Sequence, residues 1–228
     1  MRISLGAIPF FLAACGSSTE PFTENLDITV CAPSGGPFTP DIDNPYFPLS
    51  VGTQLTFEGV EDGAAIRLVI TVFDETENVA GVPARVVEER ETEDAELVEV
   101  SRNFFVQASD GTVCYYGEDV DVYEGGAVVD HPGQWRAGVN GAVPGIFMPA
   151  SPAAGQAFRQ EVAAGVAEDR VEITAEGESV TVPFGTFTNT IRFRETTPLE
   201  PGTVSLKVYA RDVGPIVDNV VELISRTP

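Results

Sequence analysis

The fold class this sequence predicts is a single, mainly-β domain. It would be an antiparallel meander curled into a sheet, half-barrel or barrel, with a long irregular region at its centre. Three observations carry that prediction. Short segments rich in Val, Ile, Thr and Phe recur along the chain, several alternating apolar and polar as half-buried strands do. Turn signals such as Asp62-Gly63 and Asp110-Gly111 separate them at hairpin spacing. Helical periodicity is nearly absent. With 228 residues, 43% of them hydrophobic, the chain is long and apolar enough to build one core.

The N-terminus carries the most specific signal. Met1-Arg2 supplies a positive end, and Ile3 to Leu12 is an apolar run too short to span a bilayer. Leu12-Ala13-Ala14-Cys15 closes it and resembles the bacterial lipobox. The resemblance implies cleavage before Cys15 and acylation of Cys15 with palmitate-type chains. More than one chain is enough for stable membrane attachment. Gly16, where an Asp would retain the protein at the inner membrane, implies the outer membrane in an organism with two membranes. Residues 1–14 are then a lipoprotein signal peptide, residues 15–43 the lipidated Cys and a flexible tether, and residues 44–228 the β-rich domain. Within the tether, Leu26 to Cys31 reads as a short strand.

From Asp41 to Leu49 the chain runs Asp-Ile-Asp-Asn-Pro-Tyr-Phe-Pro-Leu. Two prolines force extended or turn backbone, so this stretch is a rigid plug whose Tyr46, Phe47 and Leu49 cap one end of the core. Strands follow at Gln54 to Val60, Ala65 to Glu75, Ala84 to Arg90, Leu97 to Gln107 and Thr112 to Gly117, with an acidic turn at Glu91 to Asp94. Glu118 to Asp130 reads as a short hairpin around Gly125-Gly126. Pro132 to Pro152 is Gly- and Pro-rich and reads as a long loop packed by its own side chains or used for function. Strands resume at Ala157 to Ala163, Ala167 to Glu176, Glu178 to Val182, Thr186 to Glu195, Thr203 to Ala210 and Ile216 to Ser225.

The formal net charge of −22 repels nucleic acid and anionic lipid, so no nucleic-acid partner is expected. Its plainest reading is an acidic, solvated, salt-adapted surface. Export places Cys31 and Cys114 in an oxidising compartment, where the two cysteines remaining beside Cys15 are expected to pair. No CxxC, HExxH or Cys/His cluster marks a zinc site.

Several side chains are candidates for chemistry. Glu118, Asp119, Glu161, Glu168 and Asp169 offer hard oxygen ligands for Ca²⁺, although no EF-hand spacing is present. Glu118, Glu161 and Asp169 are the carboxylates a glycoside hydrolase would use. A Ser-His-Asp triad would need His131, the only histidine, and there is no GxSxG elbow. His131 lies in the turn-like Val129-Asp130-His131-Pro132. Tyr116, Trp135, Phe147 and Met148 are candidates to line an apolar ligand groove.

From Asn44 to Val217 the chain resembles a family of secreted bacterial β-rich proteins of uncharacterised function. The resemblance rests on Asn44-Pro45-Tyr46-Phe47-Pro48-Leu49, Tyr116-Gly117-Glu118-Asp119, Trp135-x-Ala137-Gly138, Met148-Pro149-Ala150, Ala167-Glu168-Asp169 and Lys207-x-Tyr209-Ala210. Cys114 stands where that family has Trp, which favours a disulfide special to this chain. The closing segment from Val182 to Val217 also resembles the last hairpins of periplasmic lipoprotein-carrier half-barrels. That likeness implies a curled sheet around an apolar groove. The functional expectation is a lipid-anchored envelope protein that binds a small apolar ligand, a lipid or a partner protein without catalysis, with Ca²⁺ as a structural aid. The alternative is a carboxylate-dependent hydrolase acting on glycans.

Overall fold

A computed structural model describes residues 22–228; the segment expected to be a signal peptide, residues 1–14, and the expected acylation site Cys15 lie outside the described residues. Strand accounts for 61% of the chain, arranged as one antiparallel sheet of 16 strands that curls into a nearly closed barrel. In chain order the strands are β1 Phe38–Thr39, β2 Gln54–Glu61, β3 Ala64–Val79, β4 Val82–Glu93, β5 Glu96–Ala108, β6 Val113–Glu124, β7 Ala127–Asp130 and β8 Trp135–Arg136. They continue as β9 Val143–Met148, β10 Ala157–Arg159, β11 Glu161–Val162, β12 Arg170–Val182, β13 Gly185–Thr196, β14 Ser205–Ala210, β15 Gly214–Asp218 and β16 Val221–Thr227.

The wall runs β10, β12, β13, β14, β15, β16, β2, β3, β4, β5, β6, β9, β11. Its first and last strands are neighbours in sequence, separated only by Gln160. The chain itself therefore bridges the seam, which leaves little open edge to pair with another molecule. Gly145 permits this closure. A Cβ there would collide with the carbonyl oxygens of Arg159 and Gln160. Gly117 has the same role opposite β8, where a Cβ would stand 2.5 Å from the Trp135 carbonyl oxygen.

Most strands lie where the alternation placed them, with differences that have physical causes. Ala167 to Glu176 and Glu178 to Val182 form one strand, β12, because its pairing with β13 absorbs the interruption as bulges. The acidic turn moves to Asp94-Ala95, so β4 carries Glu91 into the sheet. The Gly- and Pro-rich centre contains a true strand, β9, paired to β6 on one side and β11 on the other. Leu26 to Cys31 is not a strand. Ile28–Cys31 is a 3₁₀ turn capped by the Asp27 carboxylate, which accepts from the Thr29 N–H at 2.9 Å.

The described part of the predicted tether packs on the barrel. Cys31 and Cys114 form a disulfide with Cα atoms 5.5 Å apart, and the Tyr116 hydroxyl donates to the Cys31 carbonyl at 2.9 Å. The Asn44 to Leu49 plug closes one end. The Asn44 side-chain amide donates to the carbonyls of Gly111 and Pro149, both at 3.0 Å, while its own N–H donates to Gln107 Oε1 at 3.0 Å. Phe47 then packs its ring edge-on against Phe105 and Tyr209 and tilted against Phe147.

Candidate functional site

The barrel interior has two layers. Next to the plug it is aromatic: Phe47, Phe105, Tyr115, Phe147, Phe193 and Tyr209 meet edge to face, tilted or stacked. Beyond that layer the inward positions turn polar. The register explains how. Glu89 on β4 faces Ser101 on β5, Glu91 faces Glu99, and Asn103 faces Glu118 on β6. On the far wall Lys207 faces Asp218, and Glu195 faces Ser205. Side chains two residues apart on a strand share a face, so Phe193 and Tyr209 point inward at one level and Glu195 and Lys207 at the next, and on β6 a bulge beside Tyr116 brings Glu118 to the face of Tyr115.

Lys207 is the chain's only lysine, and it sits in this layer, 1% exposed. Its Nζ lies 3.3 Å from Glu195 Oε2 and 3.3 Å from Asp218 Oδ2. Burial by itself would lower the ammonium pKa, but the carboxyls of Asp218 and Glu195 carry it well above the usual range. Glu89 feels Lys207, although four strands separate their two strands along the wall. That influence crosses the lumen. Burial drives Glu89 well up, opposed by Lys207 and reinforced by Asp218 and Glu118.

The three carboxylates predicted as catalytic converge here. Glu118, Glu161 and Asp169 are 5%, 2% and 9% exposed. Glu161 Oε1 accepts from the Asp169 backbone N–H at 2.5 Å. Burial and then the charge of Asp169 push Glu118 up to about 8. The same two causes raise Glu161 well above the carboxyl range. Burial raises Asp169 to about 6, against the pull of Lys207 and Thr197. Glu195 rises to about 7 for the same reason, again restrained by Lys207. The seam residue Gln160 joins the layer by donating from Nε2 to Glu195 Oε1 at 3.2 Å.

Asp119 and Glu168, the other two candidate calcium ligands, point away. Asp119 pairs with Arg136 at 2.5 Å, and Glu168 accepts from the Gly165 N–H at 2.8 Å within its own turn. Among the described residues no group of three or more His, Cys, Asp or Glu is placed to hold a metal ion. His131 is a half-exposed turn residue whose Nδ1 lies 2.8 Å from the Val120 carbonyl and 2.9 Å from Asp121. Tyr116, Phe147 and Met148 are wholly buried core residues.

Trp135 is also buried, with its ring edge-on to Tyr115 at 5.4 Å and its indole N–H without a partner. It borders a cleft of about 300 Å³ outside the barrel wall. Gln134, Arg136, Asn140 and Asp119 give this cleft polar groups; Val139, Ala142, Ala163, Ala164 and Val166 give it apolar ones. The Arg136 guanidinium is held over the Phe104 ring at 4.3 Å.

Sequence reading missed Glu89, Glu91, Glu99, Glu195, Lys207 and Asp218. One signal was available: a lone lysine among thirteen cationic residues, two positions from a tyrosine on the same strand face. Comparison with family models, with curated proteins and with solved structures returns no match.

Proposed function

We propose that this protein is a lipid-anchored envelope protein that binds a small ligand, part apolar and part polar, in the cleft beside Trp135, without catalysis. The observation that carries the reading is the contrast between the two sites. The carboxylates a hydrolase would need are sealed inside the barrel, where a glycan does not reach them. The open concavity holds hydrogen-bonding groups over an apolar wall and no facing pair of carboxylates. Convergence of Glu118, Glu161 and Asp169 favours the hydrolase as a second reading; their burial counts against it.

Trp135 is the only tryptophan, so its emission reports on this cleft alone. Titration with monosaccharides, amino acids and short-chain fatty acids is expected to shift that emission for one class. Val166→Phe, at a half-exposed position of the cleft rim, should fill the space and abolish binding while leaving the melting temperature unchanged. A panel that moves neither emission nor melting temperature would sink the cleft as a ligand site. The anchor rests on the lipobox-like Leu12 to Cys15. Labelled palmitate should be incorporated by the wild type and lost in Cys15→Ser; equal labelling of both would refute acylation there.

A further inference from the structure

Seven strands and one turn send ionisable groups into the closed space above the aromatic layer. β4 contributes Glu89 and Glu91, β5 Glu99, β6 Tyr115 and Glu118, and β11 Glu161. The turn before β12 adds Asp169, β13 Glu195, β14 Lys207 and Tyr209, and β15 Asp218. Among the described residues Lys207 supplies the one ammonium of this layer. Sealed from water, an ionised carboxylate without a positive partner is far costlier than its protonated form. Such a layer is relieved by a bound cation or by protons. No described group of carboxylates is placed as a metal ion requires. Instead, single oxygens are left over: Glu89 Oε1, Glu118 Oε2 and Asp218 Oδ1 find no hydrogen-bond partner. The Tyr209 hydroxyl is likewise buried and unpartnered, within the field of Lys207, Glu195 and Asp218. A proton on a carboxyl oxygen converts an acceptor that lacks a donor into a donor for its neighbour.

We propose that the sealed layer is a proton store: the folded barrel holds protons there that the unfolded chain releases, so acid stabilises the protein and base loosens it.

The directions of the individual groups agree. Glu118, Glu195 and Asp169 lie at about 8, 7 and 6, all above the value of roughly 4 that a carboxyl has in an unfolded chain. The folded state therefore binds more protons than the unfolded state between those limits. The stabilisation is complete in mild acid and is lost as pH rises through the three values. Each proton so held changes the unfolding constant about tenfold per pH unit.

The test is calorimetric unfolding of the full chain in detergent, from pH 5.5 to 8.5 in about 0.5 M salt, where surface charges are largely screened. The melting temperature should fall with rising pH, by about 3 to 5 °C per pH unit for each proton held. Refolding in weakly buffered solution at pH 7 should take up protons. Glu89→Gln and Glu195→Gln remove titrating groups and should flatten the slope. Uniform ¹⁵N-lysine labelling gives one Nζ signal, because Lys207 is the only lysine, and that signal should shift over the same pH range. A melting temperature that is flat or rises with pH overturns the proposal. So does proton release on refolding, which decides the matter even where the variants do not fold. A melting temperature lowered by a chelator also overturns it, in favour of a bound cation.

Discussion

Lys207 is the residue on which the interior charge balance turns. Its ammonium stands 3.3 Å from both Glu195 and Asp218, and it restrains the upward shifts of Glu89, Asp169 and Glu195. Removing one partner of a buried ion pair leaves the other charge unpaired and typically costs about 3–5 kcal/mol. Lys207→Met is expected to lose stability on that scale in chemical denaturation at neutral pH. The triple variant Lys207→Met, Glu195→Gln, Asp218→Asn should recover much of the loss, because no charge is then stranded. A triple variant no more stable than Lys207→Met would show that packing of the lysine stem, not charge, is what matters. The arginines serve differently. Arg67, Arg102 and Arg192 form exposed pairs with Glu58, Glu75 and Glu178 along the outer face, and such pairs contribute little to stability.

At the scale of elements, the N-terminal arm and the plug are fixed by covalent and polar contacts that the strand pattern does not announce. The disulfide closes a separation of 83 residues. Loop closure of that length removes about 4.5 kcal/mol of unfolded-state freedom in the chain-entropy account. Cys31→Ser with Cys114→Ser, or reduction of the wild type, should lower the unfolding free energy by a large part of that amount; a change within about 0.5 kcal/mol would refute the stapling role. The plug was legible because two prolines and three apolar side chains stand within a few residues of one another. Its docking was not, since Asn44 reaches carbonyls 67 and 105 residues away. β12 shows the opposite case. Gly177 looked like a break, but β13 pairs along the whole length and the sheet absorbs it as a bulge.

At the scale of the whole molecule, the pH dependence is a property of closure. Glu89 and Lys207 belong to different hairpins and come within electrostatic reach of each other only because the sheet curls until its two ends are joined through Gln160. The proposed fall of stability with rising pH therefore reports on the closed barrel as a unit. A sheet left open would hydrate these carboxyls and release their protons. The aromatic layer seals the space from one side, and Gln160, Thr197 and Ser205 line the other. There a void of roughly 10 Å³ lies beside Asp169 and Glu195.

The sequence by itself determined the strand-rich class, the hairpin at Asp62-Gly63, the plug, and the pairing of Cys31 with Cys114. Alternation and turn chemistry are local properties, written in residues close together in the chain. It also picked out Glu118, Glu161 and Asp169, which the barrel does bring together. What only the tertiary structure decided was which of many carboxylates face inward. In a chain of net charge −22, an inward Glu89 and an outward Glu88 look alike. A single-residue difference in strand phase separates them, and the register of long-range pairs sets that phase.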